Sequence, residues 1–208
     1  IPSKVLQPWA EKIQADSGGR IAVELYPAMQ LGGKPSDLVD QVKDGVVDLT
    51  WTLFGYTPGR FPKSEAFELP FMVTTAEATS VAFQDYADKH LKEELAEYHV
   101  LAVHTHGPGL IHTIAAKPVQ KLEDMQGLKL RGTSKVVNQM LEAMGASAVG
   151  MPVTAVPESL SKSVIDGSVV PWEVTPAIKI AELAPNHTGF SGPNGLYTGT
   201  FVFAMNKD

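Results

Sequence analysis

Apolar residues recur along this chain with two periods, near 3.6 and near 2, and the alternation between them predicts an α/β order. Over 2–16 the period is helical: Val5, Leu6, Trp9 and Ile13 share a face, Pro2 suits a first turn, and Ser17-Gly18-Gly19 ends it. Ile21, Val23 and Leu25 alternate, which predicts a strand over 21–26. After a loop at 27–33, Leu38, Val39 and Val42 mark a helix over about 35–44, broken at Asp44-Gly45 before a strand over 46–51. Residues 54–72 follow neither period and are rich in Gly, Pro and Phe; so long a loop is functional or packed on itself. A helical pattern covers 75–97, a buried strand 100–103, and a further strand 110–115. Between those strands His104-Thr105-His106-Gly107-Pro108-Gly109 has the look of a crossover.

In the second half, Gly127-Leu128-Lys129-Leu130-Arg131-Gly132-Thr133 is a short apolar-cationic strand that ends in an arginine. It runs at once into a helix over about 134–144, with Val137, Met140, Leu141 and Met144 at i, i+3, i+4 and i+7 and Gly145 as its cap. A strand at 148–151, a helix at about 154–164, Asp166-Gly167, a strand at 168–172 and a helix at about 173–183 complete the pattern, before a turn-rich stretch and an apolar strand over 201–206. Residues 21–51 and 147–172 echo one another: strand, loop, helix, Asp-Gly, strand, tryptophan. Asp-Gly after a helix is common turn chemistry, so two unrelated units would read the same way. Two similar lobes are the preferred expectation. The segments after Trp51 and after Val170 should then face one cleft, because ligands in open α/β sheets sit beyond the carboxyl ends of strands.

Composition narrows the function. The 208 residues are 44% hydrophobic and 19% charged, enough for one large domain or two small ones. Formal net charge is −6 and the basic residues do not cluster, which argues against nucleic acid and acidic membrane surfaces as partners. No apolar run approaches the ~18–20 residues of a spanning helix. With no cysteine, disulfides, thiolate metal sites and cysteine nucleophiles are excluded. The chain opens directly into a helical pattern and stops two residues after an apolar strand, so a piece trimmed at both ends is expected. Enzyme motifs fail: Gly189-Phe190-Ser191-Gly192 is one residue short of a nucleophile elbow, and no phosphate-cradling glycine loop precedes Lys-Ser or Lys-Thr. Asn186-His187-Thr188 fits a glycosylation triplet, a pattern frequent by chance.

Several blocks, in order and spacing, resemble the DctP-type solute-binding subunits of tripartite ATP-independent periplasmic (TRAP) transporters. They are Gly19-Arg20-Ile21 with Tyr26-Pro27 and Gln30-Leu31-Gly32, then Gly45-Val46-Val47-Asp48-Leu49, then Phe67-Glu68-Leu69-Pro70-Phe71. Leu122-Glu123-Asp124-Met125, Gly127 to Arg131, Met144-Gly145-Ala146 and Asp166-Gly167 follow. The resemblance implies an α/β fold of the periplasmic-binding-protein type II kind, two lobes with a ligand cleft between them. Lobe I would hold residues 1–108 and 199–208 and lobe II residues 109–198, joined by strands near 104–110 and 195–201. The family also has a further N-terminal strand and long C-terminal helices, which are missing from this chain. The arginine after Gly-hydrophobic-Lys-hydrophobic holds the ligand carboxylate in the family; here it is Arg131.

From residue type alone Arg131 could be a surface arginine; the motif makes it the expected carboxylate receptor, a rigid fork of donors. Trp172 and Glu173 follow the strand carrying Val170, at the expected ligand edge of lobe II, where many relatives carry an amide. Packing of Trp172 under the interlobe strand is the equal alternative. Phe54 and Tyr56 sit at the matching edge of lobe I, and rings from both sides suit an apolar or aromatic ligand body. Residues 110–115 lack the second arginine of some relatives, which argues against a doubly anionic ligand. His104, His106 and His112 invite a metal. Hinge hydrogen bonds, with His106 or His112 as a neutral donor to the ligand, are preferred, and neither metal nor cofactor is expected. Calcium assists carboxylate binding in part of the family, and Glu173 could join such a site.

The expected function is therefore a periplasmic solute-binding subunit, a monomer that captures a small, apolar or aromatic monocarboxylate for ion-gradient-driven uptake through membrane subunits. It would do no chemistry. The alternatives are an enzyme using His106 and Glu173 as acid and base, and the effector-sensing domain of a regulator. The aromatic loop around Phe67 to Phe71 is weighed as a docking patch for membrane subunits, with internal packing preferred.

Overall fold

The computed structural model describes residues 2–208, with side chains from residue 4 onward. Its contacts divide into two compact units, residues 1–35 and residues 36–208. In the first, Pro2–Leu6 winds as a π-turn into helix α1 (Gln7–Asp16), so the predicted helix is present. The strand expected at 21–26 is not formed. Those residues have no regular secondary structure and pair with no strand among the described residues, and alternation alone cannot make a strand without a partner edge. The echo between 21–51 and 147–172 accordingly lacks its first strand.

The second unit holds two sheets. The first is antiparallel, in the order β1 (Leu49–Leu53), β8 (Thr200–Met205), β2 (His99–Thr105). Strand β8 alternates: Thr200, Val202 and Ala204 are buried, while Phe201, Phe203 and Met205 are half-buried on the other face. Val202 and Ala204 pack with Val39 and Val42 of helix α2 (Leu38–Lys43) and with Phe83 and Ala87 of helix α3 (Ala76–His90). Opposite them, Trp51, His104 and Phe201 stack, and the Trp51 indole donates to His104 Nε2 at 2.8 Å. The predicted helix 75–97 stops at His90. It begins on Thr75, whose side chain accepts from the Ala78 N–H.

The second sheet has the order β5 (Ser147–Gly150), β4 (Lys129–Gly132), β6 (Gly167–Pro171), β3 (Gly109–Thr113), β7 (Asn186–Thr188). β4 runs parallel to β5 and β6, whereas β3 is antiparallel to β6 and β7. Helices α4 (Lys135–Ala143) and α5 (Val156–Ser161) connect the parallel strands. β6 is buried on both faces: Val169 joins Val137, Met140 and Leu141 of α4, and Val170 joins Val156 and Leu160 of α5. Asp166-Gly167 is more than a turn. Asp166 Oδ2 accepts the Lys129 N–H at 2.9 Å, and a Cβ on Gly167 would lie 2.3 Å from the His112 carbonyl. The helix predicted over 173–183 shrinks to α6 (Ile180–Leu183), because Lys179 adopts a left-handed conformation that interrupts it.

The chain passes between the sheets at 106–108 and at 189–199, and hydrogen bonds tie the two passages together. Gly109 N–H donates to the Tyr197 carbonyl at 2.9 Å and Thr198 Oγ1 to the His106 carbonyl at 2.7 Å. A Cβ at Gly109 would fall 2.0 Å from the Tyr197 ring, so only glycine permits this approach.

Candidate functional site

Strand pairing sets the site. Arg131 lies in register with Val149 on β5 and Ser168 on β6; Ser168 pairs with His112 on β3, and His112 with His187 on β7. Arg131 is 0% exposed. Its Nε donates to the Met151 carbonyl at 2.9 Å and one terminal nitrogen reaches the Val169 carbonyl at 3.5 Å. The other terminal nitrogen has no partner, and no carboxylate forms an ion pair with it among the described residues. Burial pushes its pKa down, while Tyr56 and Tyr197, close enough to act on its charge, push it up. A guanidinium in this setting is a strong receptor for an anion, because burying it unpaired is costly.

Three further buried polar atoms without partners belong to residues tied to Arg131 by charge or register, Tyr197 Oη, His106 Nε2 and Ser168 Oγ; Glu68 Oε2 is likewise unpartnered. The Tyr197 hydroxyl is held above its ordinary pKa by burial. Glu68 Oε1 accepts from Thr200 N–H at 3.3 Å and Thr200 Oγ1 at 3.0 Å, and burial raises its pKa against its hydrogen bonds with Ser134 and Thr200. Ser134 caps α4 and Gly55 packs onto it so closely that a Cβ there would stand 2.6 Å from the Ser134 Cβ.

The expected residues divide. Tyr56 joins Arg131: its hydroxyl accepts the Val153 N–H at 3.4 Å and lies close enough to act on the guanidinium charge. His106, 8% exposed, packs edge-on against Tyr197 with ring centroids 5.5 Å apart. Its Nδ1 is 2.5 Å from the Gly107 carbonyl. A carbonyl only accepts, so Nδ1 carries the proton and Nε2 is a bare acceptor. Burial lowers the pKa to about 4, so the ring is neutral at pH 7. His106 is therefore not a donor to a ligand through Nε2, contrary to the expectation. Glu173 Oε1 accepts the Gly107 N–H at 3.0 Å, placing its carboxylate one peptide away from His106.

His112 is not available either. Nε2 donates to the Val170 carbonyl at 3.1 Å and Nδ1 lies 2.8 Å from His187 Nδ1. Trp172 closes this group edge-on, 5.3 Å from His112 and 5.0 Å from His187, with 51% of its surface exposed. Its contacts are with His112 on β3 and His187 on β7, not with the strands expected to join the lobes. Phe54 turns into the first sheet's core, 2% exposed and edge-on to Phe61 and Phe83. Val170 is likewise core on its side chain. Tyr197 and Ser168 carry no signal in the sequence; they stand in ordinary turn and strand sequence with no motif. Glu68 stands in the Phe67–Phe71 segment, where its residue type alone assigns it no role. His104, His106 and His112 do not converge, and no group of three metal-ligating side chains occurs among the described residues.

Residues 3–207 match the pattern of DctP, the bacterial extracellular solute-binding protein family 7. The chain belongs to this family. Among solved structures it is 58% identical to a marine metagenome TRAP solute-binding protein specific for aromatic acid ligands, with TM-scores of 0.96 and 0.95 for its complexes with metahydroxyphenylacetate and 3-hydroxybenzoate. The first of those alignments covers 98% of this chain and 64% of that one. A TRAP solute-binding protein from Rhodoferax ferrireducens, with copurified benzoate, is 51% identical at TM-score 0.95, over 98% of this chain and 63% of that one. One from Bordetella bronchiseptica, with bound mandelate, is 34% identical at TM-score 0.90, over 99% and 64%. The DctP chain thus spans a little under two thirds of the length of these relatives. The expected mixed α/β fold, of the two-lobed kind with a ligand cleft, is the one these relatives share. No helix among the described residues is long and apolar enough to cross a membrane.

Proposed function

We propose that this DctP chain is the ligand-binding part of a periplasmic TRAP solute-binding subunit, and that it captures an aromatic monocarboxylate for delivery to the transporter's membrane subunits. The buried, incompletely partnered guanidinium of Arg131 between Tyr56 and Tyr197 carries this proposal. A carboxylate brought to Arg131 supplies the missing acceptor and balances the charge. The lack of a second buried arginine in this cluster favours a single carboxylate, and the kinship with aromatic-acid binders supports a ring behind it.

The lobe boundaries at 108/109 and 198/199 belong to the same proposal; β1, β2 and β8 fall on one side of them and β3 to β7 on the other. Closure is a population shift, in which a ligand touching both sides stabilises the closed form. The protein acts as a monomer without cofactor and without catalysis. Glu173 bonds Gly107 instead of His106, so the acid–base pair of an enzyme has no support in the geometry.

A thermal-shift screen tests it. Benzoate, hydroxybenzoates and mandelate at ~100 times their Kd should stabilise the protein by about 2.7 kcal/mol, while dicarboxylates and sugar acids at the same concentration leave it unmoved. Stabilisation by dicarboxylates alone would overturn the aromatic assignment.

A further inference from the structure

We infer that His106 reads a hydroxyl group on the ligand, so that the preferred ligand is a hydroxylated aromatic acid. This rests on the carboxylate site at Arg131 and extends it. Thr198 Oγ1 gives its proton to the His106 carbonyl at 2.7 Å, which leaves an oxygen that can accept a second contact from Nδ1–H, 3.4 Å away. Gly107 takes the main Nδ1–H bond and is itself held by Glu173. Both neighbours therefore fix the proton on Nδ1. The consequence is a neutral ring whose Nε2 lone pair is buried and has no donor.

The ligand carboxylate cannot supply that donor, because it carries no hydrogen. A ligand ammonium can, but Arg131 lies near enough to act on the charge of His106, and a second cation there would be repelled. A neutral hydroxyl meets both conditions. It donates to His106 Nε2, and its oxygen can accept from the Tyr197 hydroxyl, whose own oxygen is buried without a partner and whose ring packs against the imidazole. Glu173 is then a positioning residue: by accepting the Gly107 N–H it holds the residue whose carbonyl fixes the tautomer that leaves Nε2 bare.

Calorimetry on the full-length protein tests this with benzoate, its three monohydroxy isomers and the matching methoxybenzoates. One hydroxy isomer should bind about tenfold or more tighter than benzoate, and its methoxy counterpart, which cannot donate, should lose the gain. His106→Phe should bring that isomer within about threefold of the benzoate affinity measured on the same variant. His106→Gln, which offers an amide oxygen, should keep part of the preference. Tight benzoate binding without a hydroxyl preference, as when a buried water satisfies Nε2, overturns this inference alone. Preference surviving in His106→Phe does the same. Failure of every aromatic acid to bind the wild type overturns the assignment of the site as well.

Discussion

His106 and His112 make a controlled comparison within one molecule. Both are buried, burial lowers both to a pKa of about 4, and each has one ring nitrogen on a backbone carbonyl. They differ in the other nitrogen. His112 Nδ1 meets His187, while His106 Nε2 meets nothing. Their neighbourhoods differ in the same way. In the group His112, His187 and Trp172 both ring nitrogens of His112 are taken. The group His106, Tyr197 and Arg131 has an unpartnered atom on each member. A buried polar group that is satisfied holds a fold together; one that is not is poised for something from outside. Sequence puts both histidines on an equal footing, and only their hydrogen-bond partners separate them.

The largest effect should fall on the open group. Arg131→Lys keeps the charge but loses the fork, and aromatic-acid affinity should drop by about 100-fold or more, as when one partner of a buried charged pair is removed. Ligand-free stability should move the other way or stay level in Arg131→Met, since an uncompensated buried charge is taken out of the core. Calorimetric titration and urea unfolding of both variants measure the two effects. Unchanged affinity in Arg131→Lys would remove the carboxylate site, and a large loss of ligand-free stability in Arg131→Met would class Arg131 with His112.

The closed group should respond with the opposite signature. His112→Leu leaves the Val170 carbonyl and the His187 N–H without a partner, and should destabilise the protein by about 2 kcal/mol. Affinity for the aromatic acid should change less than about twofold, since no ring nitrogen of His112 is free for a ligand. An affinity loss larger than the stability loss would place His112 in the site and cancel the contrast.

Much of the fold is legible in the sequence, for identifiable reasons. The helix over 134–144 is bounded by its Ser134 cap and Gly145, and the structure sets it at Lys135–Ala143. The strand before it, read as ending on Arg131, spans Lys129–Gly132. Strand 21–26 fails because pairing is non-local, and helix 173–183 fails at Lys179, whose left-handed backbone no periodicity encodes. At the site, Arg131 is legible through its motif and Tyr56 through its position after β1. Tyr197 and Ser168 are not, since register across β4, β6 and β3 and the tie between two chain passages bring them in. Phe54 illustrates the converse: its place after β1 was right, but its side chain turns to Phe61 and Phe83.

The smallest and sharpest test is protonation. An unfolded histidine takes its proton near pH 6.5, whereas both of these hold it off until about pH 4. The unfolded chain therefore binds more protons in that window, and stability is fully present above pH 6.5 and falls as pH drops toward 4. The contribution is roughly 1–3 kcal/mol for each ring. Replacing either histidine should lower the proton uptake on unfolding near pH 5 by about one, read from the slope of urea-derived stability against pH. Nitrogen-detected NMR then separates the two. At pH 7 His106 should be the Nδ1–H tautomer and His112 the Nε2–H tautomer, because their carbonyl partners sit on opposite nitrogens. A hydroxylated ligand needs the Nε2 lone pair, so its binding should shift the His106 nitrogens and lower that ring's pKa further, leaving His112 unmoved. The Nε2–H tautomer in both rings would dissolve the comparison, since His106 would then have a donor at Nε2 and no use for a ligand hydroxyl.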